Sequence, residues 1–239
     1  MNNPVDYSLP IVEQVQQLQK SFSMKKQLDL IQQILGKGEV GQKALLDILI
    51  DRHLDKTQEL VLLDGILFEF LISINIDKIQ NSLTTYFPNG LVELKSSLKI
   101  DYQPLQELLI SQQFQAADKL TQIHLCTLAG LNNSNSRNWL YFTDIALLPS
   151  EDLATIDLLW RIYSRGKFGF SVQRKIWLAN DCNWEKLWNS IGWKHNGVAC
   201  RYPEEFIWEI NAPKGHLPLF NQLRGVQVLL ALFQHIVWN

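Results

Sequence analysis

Two glycine-punctuated stretches contain the residues whose types and spacing could serve a ligand. Residues 166–173 read GKFGFSVQ, and residues 215–225 read GHLPLFNQLRG. In the second stretch Asn221 and Arg224 are three residues apart, so a helix would place them on one face. An amide can hydrogen-bond a polar group, and a guanidinium can hold a carboxylate through two parallel hydrogen bonds. The pair could therefore hold an acid group of an organic ligand, with a surface or capping role for Arg224 as the simpler alternative.

The region from residue 161 to residue 208 combines positive charge with aromatic rings. Eight basic and two acidic residues lie between positions 161 and 201, in a chain whose net charge is −2. Aromatic faces beside cations suit a flat, apolar, anionic ligand, and they also suit single-stranded nucleic acid. A pI near 6.2 and the absence of an RNA-binding sheet motif count against nucleic acid. A solvated basic face over an ordinary aromatic core is the third interpretation. The basic residues are Arg161, Arg165, Lys167, Arg174, Lys175, Lys186, Lys194 and Arg201, and the aromatic ones are Phe168, Phe170, Trp177, Trp184, Trp188, Trp193, Tyr202, Phe206 and Trp208.

The residues that could support catalysis or metal binding do not form a recognised pattern. His216 follows a glycine and could act as a general base, but a lone histidine more often makes structural hydrogen bonds. Glu204 and Glu205 are sequence neighbours rather than a geometric acid–base pair. His124 and Cys126 lie close together but lack the second pair of ligands that a zinc site needs. We therefore expect no enzyme activity, with a hydrolase that uses His216 or His124 as the catalytic alternative.

Composition indicates a globular protein with two domains. The chain has 239 residues, is 46% hydrophobic and has no apolar run near the roughly 18 residues of a membrane-spanning helix. Its N-terminus lacks the pattern of a signal peptide, so a cytoplasmic location is expected. Three scattered cysteines argue against a disulfide framework. All eight tryptophans lie at position 139 or later. We therefore predict a helical bundle over 1–90, a linker over 91–101 and an aromatic domain over 102–239.

Hydrophobic spacing predicts helices along the whole chain and no convincing strand, so the predicted fold class is all-α. In the first part, helices of about 12 residues with short breaks suggest an antiparallel bundle or a short HEAT- or ARM-like stack. Residues 194–220 are rich in helix breakers and predict a long loop, of the kind that often serves function. In the second part, helices are expected over 105–111, 114–128, 150–165, 172–179, 184–191 and 219–237.

Short pieces spread over residues 100–238 follow one another in a recognisable order. They are Tyr102-Gln-Pro-Leu105, Phe114-Gln-Ala-Ala-Asp118, Thr121, Trp139-Leu-Tyr-Phe-Thr143, Pro149, Asp152-Leu153, Leu159-Trp160, Ser164, residues 166–173, Ile191-Gly-Trp193, Trp208, Ala212-Pro213 and residues 215–225. Together they resemble the Gun4 family of porphyrin-binding activators of magnesium chelatase. The helical first part and the total length resemble full-length cyanobacterial members.

The resemblance implies a function, partners and a setting. It implies a mostly helical, cupped domain that binds protoporphyrin IX and Mg-protoporphyrin IX, and a non-catalytic protein that stimulates magnesium chelatase in chlorophyll synthesis. The protein partner would be the large, porphyrin-binding subunit of that enzyme. We expect a monomer in the cyanobacterial cytosol, with at most peripheral contact with the thylakoid membrane and no nucleic acid, catalytic cofactor or metal ligand. The alternative is a helical protein-interaction scaffold without a ligand.

Carried over by position, the resemblance implies a porphyrin site of seven residues. Phe142 and Ile145 would help to form the floor of the cup, and Tyr202 would stack on the ring. The loop over 201–217 would form a mobile lid, and the asparagine and arginine of the second glycine stretch would face the porphyrin. The seven residues are Phe142, Ile145, Arg201, Tyr202, Leu217, Asn221 and Arg224.

The sequence departs from the family pattern in three ways. Tyr202 replaces a tryptophan, which gives a smaller stacking face. Gln227 stands where a second basic residue is expected, one helical turn after Arg224. Glu204 and Glu205 replace a less acidic pair in the loop. Weaker pairing with the acid groups of a ligand is therefore expected.

Overall fold

The structure is a computed structural model that describes residues 10–55, 57–131, 137–219 and 226–238. Asn221 and Arg224 lie outside the described residues. The chain divides into two compact units, Met1–Leu91 and Val92–Asn239. Within the described ranges, none of the helices is long and apolar enough to cross a membrane.

The described part of the first unit, residues 10–55 and 57–91, contains five helices joined by short loops. Helix α1 packs against α2 and α3, α2 also packs against α3 and α4, and α5 packs against α3 and α4. Leucine and isoleucine side chains at helical spacing form its core, and several of them are completely buried. The helices are α1 (Ile11–Lys20), α2 (Met24–Leu35), α3 (Glu39–Leu54), α4 (Leu62–Ile72) and α5 (Asp77–Tyr86).

Polar side chains fix the joint between α3 and α4 in this unit. The Arg52 guanidinium donates to both carboxylate oxygens of Asp64, at 2.6 and 3.1 Å. The same carboxylate accepts the Val61 N–H at 2.9 Å, at the start of α4. One acidic side chain therefore both satisfies a free backbone donor of α4 and ties that helix to α3.

The second unit is also mostly helical, which confirms the predicted all-α class. A two-stranded antiparallel hairpin in the described part is a minor addition to it. Trp160 lies at the centre of the core between Phe114 and Phe168, and its indole N–H donates to Thr121 Oγ1 at 3.0 Å. The elements are α6 (Gln103–Ile110), α7 (Phe114–Leu128), a 3₁₀ helix (Phe142–Leu147), α8 (Ser150–Ile162), α9 (Phe170–Ala179), α10 (Trp184–Ser190), β1 (Lys194–His195), β2 (Val198–Ala199), α11 (Val226–Phe233) and a 3₁₀ turn (Ile236–Trp238).

The segment before α6, predicted as a linker, makes specific hydrogen bonds within the second unit. The buried carboxylate of Asp152 accepts from Ser96 Oγ at 2.5 Å, from Ser97 N–H at 3.0 Å and from the Tyr102 hydroxyl at 2.8 Å. The Thr155 hydroxyl donates to the Lys95 carbonyl at 2.8 Å. Residues 95–97 are therefore held against α8.

The last helix differs from the prediction of a single helix over 219–237. Leu219 is not helical, residues 220–225 lie outside the described residues, α11 covers Val226–Phe233, and a separate 3₁₀ turn follows at Ile236. Apolar spacing continues through His235, but the Trp238 indole donates to the Leu232 carbonyl at 2.6 Å and so supports a turn at this point.

Candidate ligand-binding site

The two glycine-punctuated stretches are in direct contact in the structure. The Gly169 N–H donates to the Leu217 carbonyl at 3.0 Å, and the Gly215 N–H donates to the Lys167 carbonyl at 2.7 Å. The buried amide of Gln173 donates to the carbonyls of Gly215, at 3.0 Å, and Pro218, at 2.8 Å. The first stretch, at the start of α9, is therefore the support on which the second is held.

Close approach explains why glycine is required at residue 215. Its φ of +81° is in the left-handed region, where a side chain is strained. A Cβ added there would lie 2.8 Å from Ile176 Cδ1 and 2.9 Å from Ile191 Cγ2. The loop can therefore lie against α9 and the end of α10 only because this residue has no side chain.

His216 holds the loop together through both of its ring nitrogens. Nδ1 lies 2.6 Å from the Ile191 carbonyl, and Nε2 accepts the Ile207 N–H at 3.0 Å. An acceptor at Nε2 and a donor at Nδ1 define the neutral tautomer. Burial lowers the pKa of His216. Because both nitrogens are engaged by backbone groups, the imidazole acts as a structural bridge rather than as a general base.

The loop predicted to act as a lid is fastened at several points. Beyond the contacts of Leu217 and His216, the Lys167 ammonium donates to the Ile210 carbonyl at 2.6 Å, and the Trp208 indole donates to the Pro203 carbonyl at 3.0 Å. Opening of the loop as a whole would have to break the contacts of Lys167, Gly169 and Ile191 with it, whereas the Trp208 hydrogen bond lies within the loop.

The aromatic residues of this region form a continuous row. The ring centroids of Trp177 and Trp184, Trp184 and Trp188, and Trp188 and Trp193 are 5.1, 5.4 and 5.5 Å apart. Phe206 continues the row, 6.4 Å from Trp193 and 6.2 Å from Trp208, and Tyr202 lies 6.0 Å from Trp208. These rings pack mainly on one another. Tyr202, at one end of the row, is 40% exposed to solvent.

Most of the predicted basic cluster has partners nearby. Arg161 pairs with Asp157 at 2.8 Å, Lys194 with Glu185 at 2.7 Å and Lys186 with Asp181 at 3.4 Å. The Arg174 guanidinium donates to the Phe233 carbonyl at 2.7 Å. The sequence therefore overstated the free positive charge, since it gives a residue's type but not its partner.

Arg201 differs from these basic residues in its exposure. Its side chain is 84% exposed, and its Nε lies 4.0 Å from Glu205 Oε1. Glu205 Oε2 also accepts the Arg201 backbone N–H at 2.8 Å. The guanidinium is thus available to an acid group in solution, with one carboxylate as an intramolecular competitor.

The five predicted site residues that the structure describes fall into an exposed and a buried group. Phe142, on the 3₁₀ helix, is 52% exposed, whereas Ile145 on the same helix is buried beneath it. Leu217 is completely buried and fixes the loop rather than offering a surface. Helix α11 packs against the 3₁₀ helix that carries Phe142 and Ile145.

Sequence reasoning about the site missed Asp118, which lies on α7. Asp118 is only 5% exposed, and its Oδ1 accepts the Leu219 N–H at 2.6 Å. Burial raises the pKa of this carboxyl to about 7, against the opposing effects of that hydrogen bond and of the Lys119 charge. Burial and then the Asp118 charge raise the pKa of Tyr202. A signal was present, because Asp118 follows the core residue Phe114 by four positions and so lies on the apolar face of α7.

The described residues offer no site for a metal ion made of His, Cys, Asp and Glu side chains. No group of three or more such residues is placed to hold one within those ranges. The exposed groups here are instead aromatic rings and a guanidinium. They suit a flat apolar molecule that carries acid groups.

Two family profiles together match most of the chain. The profile of a family described as GUN4-like matches residues 95–236, and a profile described as "ARM-like repeat domain, GUN4-N terminal" matches residues 6–88. The ycf53 protein of Porphyra purpurea is 50% identical over 217 residues, which cover 91% of this chain and 91% of that protein. The chain therefore belongs to the GUN4 family.

Two further proteins carry informative names. The chain is 36% identical to the "Tetrapyrrole-binding protein, chloroplastic" of Arabidopsis thaliana over 145 residues, which cover 56% of this chain and 54% of that protein. The structure is similar to that of GUN4 from Chlamydomonas reinhardtii, with a TM-score of 0.58 and 39% identity over 62% of this chain and 96% of that one. The ARM-like description of the first unit agrees with the predicted helical stack.

Proposed function

We propose that this protein binds protoporphyrin IX and Mg-protoporphyrin IX and stimulates magnesium chelatase as a non-catalytic activator and carrier. The observation that carries the proposal is the exposure of two aromatic rings, Phe142 and Tyr202, on a unit that matches the GUN4-like profile. Support also comes from the name of the Arabidopsis relative, which is described as tetrapyrrole-binding. The exposed Arg201 supplies a cation for a ligand acid group.

The energetics require both the rings and the cations. A porphyrin that buries a few hundred Å² of apolar surface gains on the order of 10 kcal/mol at roughly 25 cal/mol per Å². Association costs about 4–15 kcal/mol, whereas low-micromolar binding needs about 8 kcal/mol net. Apolar burial alone therefore falls short, and pairing of Arg201 and Arg224 with the ligand acid groups must supply the difference.

The proposed partner is the large, porphyrin-binding subunit of magnesium chelatase, to which the protein would deliver its ligand as a monomer in the cytosol.

The alternative is an interaction scaffold without a ligand. It draws on the first unit, where Phe22 is fully exposed and Val12 and Val40 are largely exposed. Apolar side chains on a surface are common, so this observation favours the scaffold less than the family membership favours a ligand.

A porphyrin titration tests the proposal. Deuteroporphyrin IX, a soluble dicarboxylic porphyrin, should quench tryptophan fluorescence saturably and shift its own Soret band. Arg224→Ala should weaken binding by about tenfold, since a charged hydrogen bond of about 1.5–3 kcal/mol is lost. Lys214→Ala, which removes an exposed cation outside the seven predicted site residues, is the control and should bind like the wild type. Saturable binding should be followed by measurement of chelatase stimulation. The absence of saturable binding would favour the scaffold.

A further inference from the structure

Asp118 is a buried acid that is not among the seven predicted site residues. It lies on α7, whose neighbouring buried residues are Phe114, Ala117 and Thr121. An ionised carboxylate in such surroundings is unfavourable unless it is paired or hydrogen-bonded. Its placement in the core therefore calls for an explanation beyond packing.

The backbone contact of Asp118 connects α7 to the second glycine stretch. Its Oδ1 accepts the Leu219 N–H at 2.6 Å, across 101 residues of sequence. Leu219 is the last described residue before positions 220–225, which by sequence include Asn221 and Arg224. The carbonyls of Leu217 and Pro218 are held by α9 through Gly169 and Gln173. Asp118 on α7 therefore holds the segment 217–219 at a further point, in addition to the contacts with the start of α9.

The second contact of Asp118 is electrostatic and reaches the exposed end of the aromatic row. The Asp118 charge is one cause of the raised pKa of Tyr202, after burial. Among charged neighbours, Lys119 on the same helix acts on Asp118, and Glu107 on the adjacent α6 is exposed. One carboxyl therefore holds the Leu219 backbone directly and acts through its charge on Tyr202, a residue expected to stack on the ligand.

We propose that Asp118 is a positioning residue of the ligand site, which holds Leu219 in both charge states and weakens the binding of dicarboxylic porphyrins when it is ionised. The inference deepens the proposed function and rests on it. A neutral Asp118 adds no charge that would oppose the ligand acid groups, whereas an ionised Asp118 adds a negative charge that repels them. The same hydrogen bond to Leu219 can be accepted by a carboxylate, a carboxylic acid or an amide oxygen.

The direction of the pKa shift of Asp118 determines whether porphyrin affinity rises or falls with pH. Burial raises the pKa of Asp118 to about 7, so the group is mostly neutral at pH 6 and mostly ionised at pH 8. A bound dianion that raises this pKa by about one further unit lowers porphyrin affinity about fivefold between about pH 6 and pH 8, by linkage. Burial of the same group costs folding stability as pH rises from about 4 to 7, since the folded state then binds the proton more tightly than the unfolded chain.

The experiment compares the full-length wild type with Asp118→Asn, Asp118→Ala and the control Glu107→Gln. Deuteroporphyrin IX is titrated into each at about pH 6 and pH 8, the range over which the group titrates. The wild type and Glu107→Gln should lose about fivefold in affinity at the higher pH by the same linkage. Asp118→Asn keeps the hydrogen-bond acceptor without the charge, so its affinity should be the same at both values. Asp118→Ala should bind weakly at both.

Hydrogen exchange of the Leu219 amide provides a measurement that is independent of the porphyrin. At one pH, exchange should be faster in Asp118→Ala than in the wild type and should return to the wild-type rate in Asp118→Asn. The proposal is overturned if Asp118→Asn retains the wild-type pH dependence, or if Leu219 exchanges equally in all variants. A wild type that binds no porphyrin at either pH would refute the proposed function, whereas the exchange rates would still decide whether Asp118 holds Leu219.

Discussion

Glu205 and Arg201 form the residue-scale contact that bears most directly on ligand affinity. Both side chains are largely exposed, and their nearest charged atoms are 4.0 Å apart. An exposed pair of this kind contributes little to stability, about 0–1 kcal/mol. The pair has a more direct effect on ligand binding. A porphyrin acid group that pairs with Arg201 must either displace Glu205 or share the guanidinium with it.

The first prediction is that Glu205→Gln strengthens porphyrin binding. The amide oxygen can still accept the Arg201 backbone N–H, while the competing charge is removed. We expect a two- to fivefold lower Kd in a fluorescence titration, in line with an exposed charge pair of about 0.5–1 kcal/mol. Glu204→Gln removes the adjacent exposed carboxylate and is the matched control. An equal gain in both variants would indicate a general field effect instead.

His216 gives a second prediction, on the pH dependence of stability. Burial lowers its pKa in the folded protein, so the unfolded chain binds the proton more readily. The contribution of His216 is therefore complete above an unfolded pKa of about 6.5 and is lost as pH falls below it. Asp118 has a raised pKa and contributes the opposite slope, so a comparison of variants is needed to isolate His216.

We expect His216→Gln to lower the free energy of unfolding at pH 7 by about 1–3 kcal/mol, through two lost backbone hydrogen bonds. Its deficit relative to the wild type should shrink as pH falls to about 5, because the wild type loses this contribution there. Denaturant unfolding at a series of pH values measures both effects. His195→Gln removes an exposed histidine of the hairpin that makes a smaller contribution to the lowered pKa of His216, so it should leave stability at pH 7 unchanged and alter only the pH dependence slightly. A deficit that is constant with pH would contradict the prediction.

At the scale of elements, α2 and α3 approach each other closely at Gly41. A Cβ added at Gly41 would lie 1.7 Å from the Ile34 carbonyl oxygen and 2.7 Å from its carbon. Both atoms are backbone, so the clash cannot be relieved by a side-chain rotation. The two helices can approach this closely only because α3 has glycine at the crossing.

The third prediction is that Gly41→Ala destabilises the first unit. Alanine favours a helix over glycine by about 1 kcal/mol, but separating two packed helices costs about 1–3 kcal/mol or more, so the clash should win. Thermal unfolding followed by circular dichroism measures the change. Gly36→Ala is the control, because Gly36 has a φ of −61° and an added Cβ would meet nothing closer than 3.4 Å. Equal melting temperatures for the two variants would refute the prediction.

At the scale of the whole molecule, porphyrin binding and any other contact can be assigned to different compact units. All seven predicted porphyrin residues lie in Val92–Asn239, and the GUN4-like profile matches residues 95–236 within it. A chain of about 150 residues buries about 68–70% of its surface on folding, which is enough for an independent core. The first unit, which matches the ARM-like description, is then free to serve a different contact.

The fourth prediction is that residues 92–239 fold alone and bind deuteroporphyrin IX with the affinity of the full chain, within about twofold, because the additional helices lie outside the proposed site. Calorimetry of the full chain should then show two transitions, one of which matches the fragment. Residues 1–91 serve as the control and should not bind the porphyrin. A fragment that folds but binds much more weakly would show that the first unit contributes to the site.

The amino-acid sequence by itself determined the helices and the family resemblance. Apolar spacing and helix-stop residues are local signals, so α7 was predicted with its observed bounds, Phe114–Leu128, and α2 with Gly36 as its end. The resemblance to Gun4 proteins was carried by many pieces in order, and the GUN4-like profile confirms it. The predicted domain bounds and the seven site residues stay predictions.

Only the tertiary structure decided which polar groups are engaged and by what. The basic cluster that looked free in the sequence is largely engaged, because Arg174 donates to the Phe233 carbonyl and Lys167 to the Ile210 carbonyl, each across more than 40 residues of sequence. Asp118 reaches Leu219 across 101 residues, and no local pattern encodes such a contact. The physical reason is that helix formation depends on near neighbours in sequence, whereas burial, charge pairing and pKa depend on neighbours in space.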